Sequence, residues 1–198
     1  PPDEAAVEWL REPSDRETEL PDRVAFDGNL ARLLAATSAA PRGGVLLVSV
    51  DEADRLRRRI GDGGVAAIRR SVARVLCRAI RDGDLACRLD EGTFAVLFAD
   101  PEPADAVAQA AAVREAFRGH PFRTGPDGPE LLVTASFGFT PALPGDEPRL
   151  LLDRGRAAVA RSRRWGRNRL HVYEPQSGRF SQASDLAGTA QRPAGVPA

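Results

Sequence analysis

Lysine and methionine are absent from the 198 residues, so the 28 basic side chains are all arginines. Every fixed side-chain cation is therefore a planar guanidinium that keeps its charge at any accessible pH. Cysteine is scarce. Cys77 and Cys87 form no Cys-x-x-Cys pair, and His120 and His171, the only histidines, lie more than thirty residues from either. That spacing excludes a zinc module, and two buried, reduced thiols are expected. Long hydrophobic runs are missing too: none approaches the roughly 18 residues that a spanning helix needs. No basic–apolar–small leader is visible, and a cytoplasmic location is expected. The acidic side chains also number 28, which leaves net charge at zero. A nucleic-acid or membrane-surface footprint would need a basic excess, so neither DNA nor a bilayer is an expected partner. A chain that opens on Pro1 and holds no methionine is expected to be a fragment or a processed form of a longer protein.

What remains is 42% hydrophobic and 28% charged, enough for one globular domain with a sizeable core. Residues 1–14 read as a charged connector with a helical stretch over 5–10, and residues 175–198 as a flexible polar tail. Between them lies one unit, residues 15–174. A helix is expected over 22–36. The run GVLLVSV at 44–50 predicts a buried strand. A helical stretch over 52–60 is broken by GDGG. Val65, Ile68, Val72, Leu76 and Ile80 then mark an amphipathic helix whose arginines 69, 70, 74, 78 and 81 lie largely on the solvent side. Two short strands, 85–89 and 93–99, flank a tight turn at Asp90-Glu91-Gly92. A helix over 104–118, a strand over 131–139, a helix over 149–165 and a strand over 169–173 follow. This order, with a hairpin in the middle, predicts an α/β (α+β) fold. Its mostly antiparallel, five-stranded, ferredoxin-like sheet is flanked by helices.

Four segments in this order resemble the GGDEF family of diguanylate cyclases: RDGD at 81–84, LACRLDEGTFAVLF at 85–98, VTASFGFT at 133–140 and RRWGRNRL at 163–170. Asp15, Thr18, Leu20, Pro21 and Arg23 match the family's opening DxLTxLPNR segment. The resemblance implies a nucleotidyl-cyclase-like fold and a relation to the condensation of two GTP into cyclic di-GMP. It also implies where the catalytic groups should be, and here the chain departs. The metal-binding acid of the hairpin falls on Gly92, the next acid on Thr93 and the first-strand acid on Ser49. The guanine-reading Asn and Asp fall on Arg57 and Ala66, and the two turn glycines on Asp90 and Glu91. Glycine offers no ligand and a hydroxyl is a weak substitute for the carboxylates that hard cations need. Sliding the hairpin so that Asp90 and Glu91 become the metal acids would break the spacing from Arg88 to Phe94, so they read as a polar hairpin tip. No catalytic residue, metal or cofactor is expected.

Arg163 falls where the family has a phosphate-binding Lys, and Arg167 matches the Arg of its GRN. They read either as phosphate ligands or as a basic helix end. Arg81 and Asp84 fall on the family's RxxD inhibitory site, which binds cyclic di-GMP away from the catalytic centre, with Arg78 and Arg114 as helpers. The expectation is a catalytically inactive GGDEF domain acting as a cyclic di-GMP receptor. The alternatives are a dimerisation or signal-relay module that binds no nucleotide, and a GTP-binding regulator. A homodimer, bridged by ligand, and a missing N-terminal domain or protein partner complete the expected partners.

Overall fold

The computed structural model describes residues 14–37, 40–99, 102–125 and 128–183. The elements run α1 (Arg23–Ala36), β1 (Gly44–Val50), α2 (Ala53–Ala79), β2 (Leu85–Arg88), β3 (Thr93–Phe98), α3 (Pro103–Arg118), β4 (Phe122–Arg123), β5 (Glu130–Leu131), β6 (Ala135–Pro141), α4 (Pro148–Arg164), β7 (Leu170–Glu174) and β8 (Arg179–Gln182). The main sheet has the order β2-β3-β1-β6-β7-β8. Its pairings are antiparallel except β6 with β7, which run parallel.

β1 is buried along its whole length because both faces of the sheet are covered. Alternation divides its side chains between the two faces. Leu46, Val48 and Val50 pack with Ile68, Val72 and Leu76 of α2 and with Ala110, Val113 and Phe117 of α3. Val45 and Leu47 pack with Phe26, Leu30 and Leu33 of α1 and with Leu151, Leu152 and Val159 of α4. α4 lies unusually close to β6. A methyl group on Gly138 would stand 2.5 Å from the Gly155 carbonyl oxygen and 2.6 Å from the Val159 nitrogen. α1 starts where the Asp22 carboxylate accepts from the backbone N–H groups of Val24 and Ala25. The break inside α2 falls at Gly61, whose φ of 69° ends one helical stretch and lets the next begin at a new angle.

Four expectations need correction. Among the described residues the sheet has six strands rather than five, because part of the supposed tail forms β8. Gly178, with φ of 64°, turns the chain back, and Phe180 packs on Tyr173 with ring centroids 5.4 Å apart. The strand over 131–139 is two elements. Glu130 and Leu131 pair with Phe122 and Arg123 in a separate ribbon, Leu132 projects into solvent, and the main-sheet strand begins at Ala135. Cys87 is buried but Cys77 is exposed, since the buried stripe of α2 runs through Val75 and Leu76. Arg69 is half-buried rather than solvent-facing, because Glu17 of the segment before α1 covers it. The helix over 5–10 and the tail beyond residue 183 lie outside the described residues. Among the described residues, no helix is long and apolar enough to cross a membrane.

Candidate functional site

The hairpin register is the unshifted one: Arg88 faces Phe94 across β2 and β3, and Ser49 of β1 faces Thr93. The Leu89 N–H donates to the Thr93 carbonyl at 2.9 Å, and the Asp90 carboxylate accepts from the Gly92 N–H at 2.9 Å. Asp90 and Glu91 are thus an exposed tip. Arg57 donates to the Glu91 carboxylate at 2.6 Å and its Nε lies 3.2 Å from Asp62. The Arg57 guanidinium holds the Glu91 carboxyl below its ordinary range. So the position expected to read guanine is bound to the position expected to be a turn glycine. Ala66, half-buried on α2, presents only a methyl group.

Ser49 is buried, and its hydroxyl accepts from Arg163. A cleft of about 340 Å³ lies beside it, lined in part by Thr93, Asp90, Arg23, Arg156 and Arg163. The divalent cations that the family resemblance implies do not fit here. Gly92 has no side chain, Ser49 is engaged by a guanidinium, and Asp90 is turned onto its own loop. Among the described residues, no group of three His, Cys, Asp or Glu is placed to hold a metal ion.

Arg167 lies elsewhere, in a second cleft of about 320 Å³ with Arg55, Arg59 and Asp51. Its turn is strained: Arg167 and Asn168 have φ of 60° and 48°, left-handed values that L side chains rarely adopt. Asp51, which the sequence reading overlooked, holds this turn. Its buried carboxylate accepts from Thr134 at 2.8 Å, Ser136 at 2.7 Å and the Asn168 N–H at 3.4 Å. Arg114 holds it from the other side, donating to the Asn168 carbonyl at 2.9 and 3.1 Å. Arg114 was expected beside Arg81. The structure instead turns it toward the start of β7, because it lies five residues, about 140° around the helix, from the α3 residue that meets Arg81. The signal for Asp51 was legible as an acid closing β1 opposite the alternating Thr134 and Ser136.

Arg81 and Asp84 come together where α2 gives way to β2. The Asp84 carboxylate is buried and accepts from the backbone N–H groups of Arg81 at 3.2 Å and Ala99 at 3.1 Å. The Arg81 side chain is exposed, and Arg78 is exposed one turn earlier. Gln109 of α3, buried, lies across the pair. In the amide orientation that satisfies both partners, its nitrogen donates to Asp84 at 3.1 Å. Its oxygen accepts from Arg81 Nε and, at 2.9 Å, from Nη1. Nothing in the sequence singled out Gln109, a lone amide on an alanine-rich helix.

The segment before α1 is fastened to this core. Arg88 donates to Asp15 at 2.8 Å and to Glu17 at 3.4 Å, and Arg69 donates to Glu17 at 2.7 Å. This pairing explains the partial burial of Arg69. Burial alone would push Asp15 up, but hydrogen bonds from Thr18 and Arg88 outweigh it and leave the carboxyl below its ordinary value. The Arg69 hydrogen bond lowers Glu17 likewise. Both shifts favour the charged form in the folded state. Their stabilisation is therefore complete above the unfolded values, near about 4, and is lost as pH falls through the lowered folded values. Thermal melts between neutral pH and pH 3 should show a loss of stability that Glu17→Gln makes shallower; an equally steep loss in that variant would mean the clamp contributes nothing.

Residues 13–169 match the family profile described as diguanylate cyclase, GGDEF domain. The response regulator PleD of Caulobacter vibrioides is 31% identical over 157 residues, which are 78% of this chain and 35% of PleD. The chain thus spans about a third of that curated relative's length. Among solved structures, the GGDEF domain of DgcB from Caulobacter crescentus, in complex with c-di-GMP, superposes with a TM-score of 0.75 at 23% identity, covering 82% of this chain and 96% of that one. The diguanylate cyclase SiaD of Pseudomonas aeruginosa, in complex with its activator SiaC, gives 0.75 at 24% identity, covering 82% of this chain and 62% of that one.

Proposed function

The chain belongs to the GGDEF family, and from that premise we propose that it is a receptor for cyclic di-GMP without cyclase activity. The observation that carries the reading is the pairing of Arg81 and Asp84 at the junction of two rigid elements, α2 and β2. Guanine presents two acceptors, O6 and N7, that an arginine fork takes in two bonds. Its N1 and N2 donors suit a carboxylate. Asp84 is fixed by backbone hydrogen bonds, while the Arg81 guanidinium reaches solvent, so one edge of a base has a rigid acceptor and an adaptable donor. Arg78 is placed to attract a phosphate. The ligand is expected at about two molecules per domain, or bridging two domains.

Loss of turnover follows from the hairpin. Cyclic di-GMP formation from GTP needs paired cations to stabilise charge on phosphorus. Gly92, Thr93 and Ser49 supply no carboxylate for them. Incubation with GTP and magnesium or manganese, followed by chromatography, should yield no cyclic di-GMP above a no-protein control. Turnover that disappears in Asp90→Ala or Glu91→Ala would overturn this reading.

The cleft that gathers Arg23, Arg156 and Arg163 favours a second reading, a regulator that binds the phosphates of GTP. Calorimetry with cyclic di-GMP and GTP in parallel, with and without magnesium, separates the two. Low-micromolar binding of cyclic di-GMP supports the receptor. Binding of GTP alone supports the second reading, and silence toward both leaves a relay or dimerisation module.

A further inference from the structure

The groups that make Arg81 and Asp84 suited to guanine are already in use. A primary amide carries an acceptor oxygen beside a donor nitrogen, which is a short version of the guanine edge. Gln109 presents that edge to the pair: its oxygen takes the Arg81 fork and its nitrogen gives to the Asp84 carboxylate. Gln109 is also buried, within a helix face otherwise built from Ala106, Ala110 and Val113. A buried amide needs partners, and these two residues supply them.

We infer that Gln109 is an internal surrogate for guanine that closes the Arg81–Asp84 pair, so that a guanine-bearing ligand binds only as Gln109 withdraws. The inference rests on the receptor reading and adds its regulation. Asp84 stays in place during the exchange, because the Arg81 and Ala99 backbone N–H groups hold its two oxygens. The moving parts are the Gln109 side chain and the exposed Arg81 guanidinium. The apparent affinity is the intrinsic affinity multiplied by the fraction of molecules with Gln109 withdrawn. Whatever loosens Gln109, including a shift of α3 against α2, raises that fraction and sensitises the domain.

Two substitutions open the pair. Gln109→Ala removes the surrogate and should tighten cyclic di-GMP binding about tenfold, the scale of one or two lost competing hydrogen bonds. Gln109→Glu puts an oxygen where the amide nitrogen met the Asp84 carboxylate, and the like-charge contact should expel it and tighten binding in the same direction. The experiment is calorimetry of the full 198-residue chain with cyclic di-GMP, comparing wild type, both variants and Arg81→Ala combined with Gln109→Ala, with a thermal melt to show each is folded. Tighter binding in Gln109→Ala, lost when Arg81 is also removed, supports the inference. If wild type binds through Arg81 and Gln109→Ala binds no tighter, the inference falls and the receptor reading stands. If only Gln109→Ala binds, the surrogate stands and the wild-type chain is a closed site rather than a receptor. If neither binds, both fall. Should Gln109→Ala fail to fold, Gln109→Glu binding no tighter than wild type overturns the inference alone.

Discussion

Arg81→Ala should weaken cyclic di-GMP binding roughly ten- to hundredfold, the discrimination of about 1–3 kcal/mol carried by one bidentate contact to guanine. Calorimetry reads it directly. The side chain is exposed at a helix end but partners the buried Gln109 oxygen, so the melting temperature should fall only modestly. Asp84→Ala should cost more stability. It too removes a guanine contact, but it also strips the acceptor from the Arg81 and Ala99 N–H groups beside a buried position. Binding and stability should fall together, the second by about 1–3 kcal/mol for the groups left unpaired. Arg163→Ala should leave cyclic di-GMP binding unchanged, because Arg163 engages Ser49 on the α4 face of the sheet. Loss of binding in Arg163→Ala with a neutral Arg81→Ala would move the ligand to the cleft beside the hairpin.

The largest effect on stability is expected from Phe137→Ala, a loss of about 3–5 kcal/mol, as for other large-to-small changes in cores. Phe137 is fully buried at the centre of β6, facing Val48 of β1 across the ladder. Its ring meets Phe117 of α3 edge-on, with centroids 5.6 Å apart. Its carbonyl accepts from Ser162 of α4 at 2.7 Å, so one residue joins the helix layers on both faces. Truncation empties a space between the sheet and α3, walled by the Phe117 ring. Against a typical total of about 5–15 kcal/mol, that is a large fraction. Urea unfolding measures it. A shift in midpoint below that of an ordinary surface substitution would show that the core repacks around the gap.

The sequence patterns that located elements correctly were those in which local and tertiary preferences agree. β1 was readable to the residue because GVLLVSV, rich in β-branched residues and nearly all apolar, suits a short strand in a sheet covered on both sides. The hairpin was readable from a polar tip between two apolar strands, and the break in α2 from glycine. β8 was not readable: RFSQ has no run or strong alternation, and its order comes from pairing with β7 and from the turn at Gly178. The same division holds at the site. Arg81 and Asp84 are three residues apart and meet through local geometry. Arg114 and Gln109 owe their partners to the rotation of α3 against its neighbours. A loose motif match cannot supply that rotation, and it misplaced one of these residues and passed over the other.

The two margins of the main sheet limit how copies of this protein can meet. β2 and β8, the outermost strands, are four residues long each. β8 ends in Arg179 and Gln182, and Gln182 is occupied by Arg169 at 2.7 Å. Short, charged edges offer few ladder positions to an incoming strand and discourage edge-to-edge aggregation. A continuous sheet running through two protomers would therefore be poorly held. Among the described residues, a pairing of two copies would then use helix faces or a shared ligand, and a ligand-bridged pair would respond to ligand concentration as a strand-paired one does not.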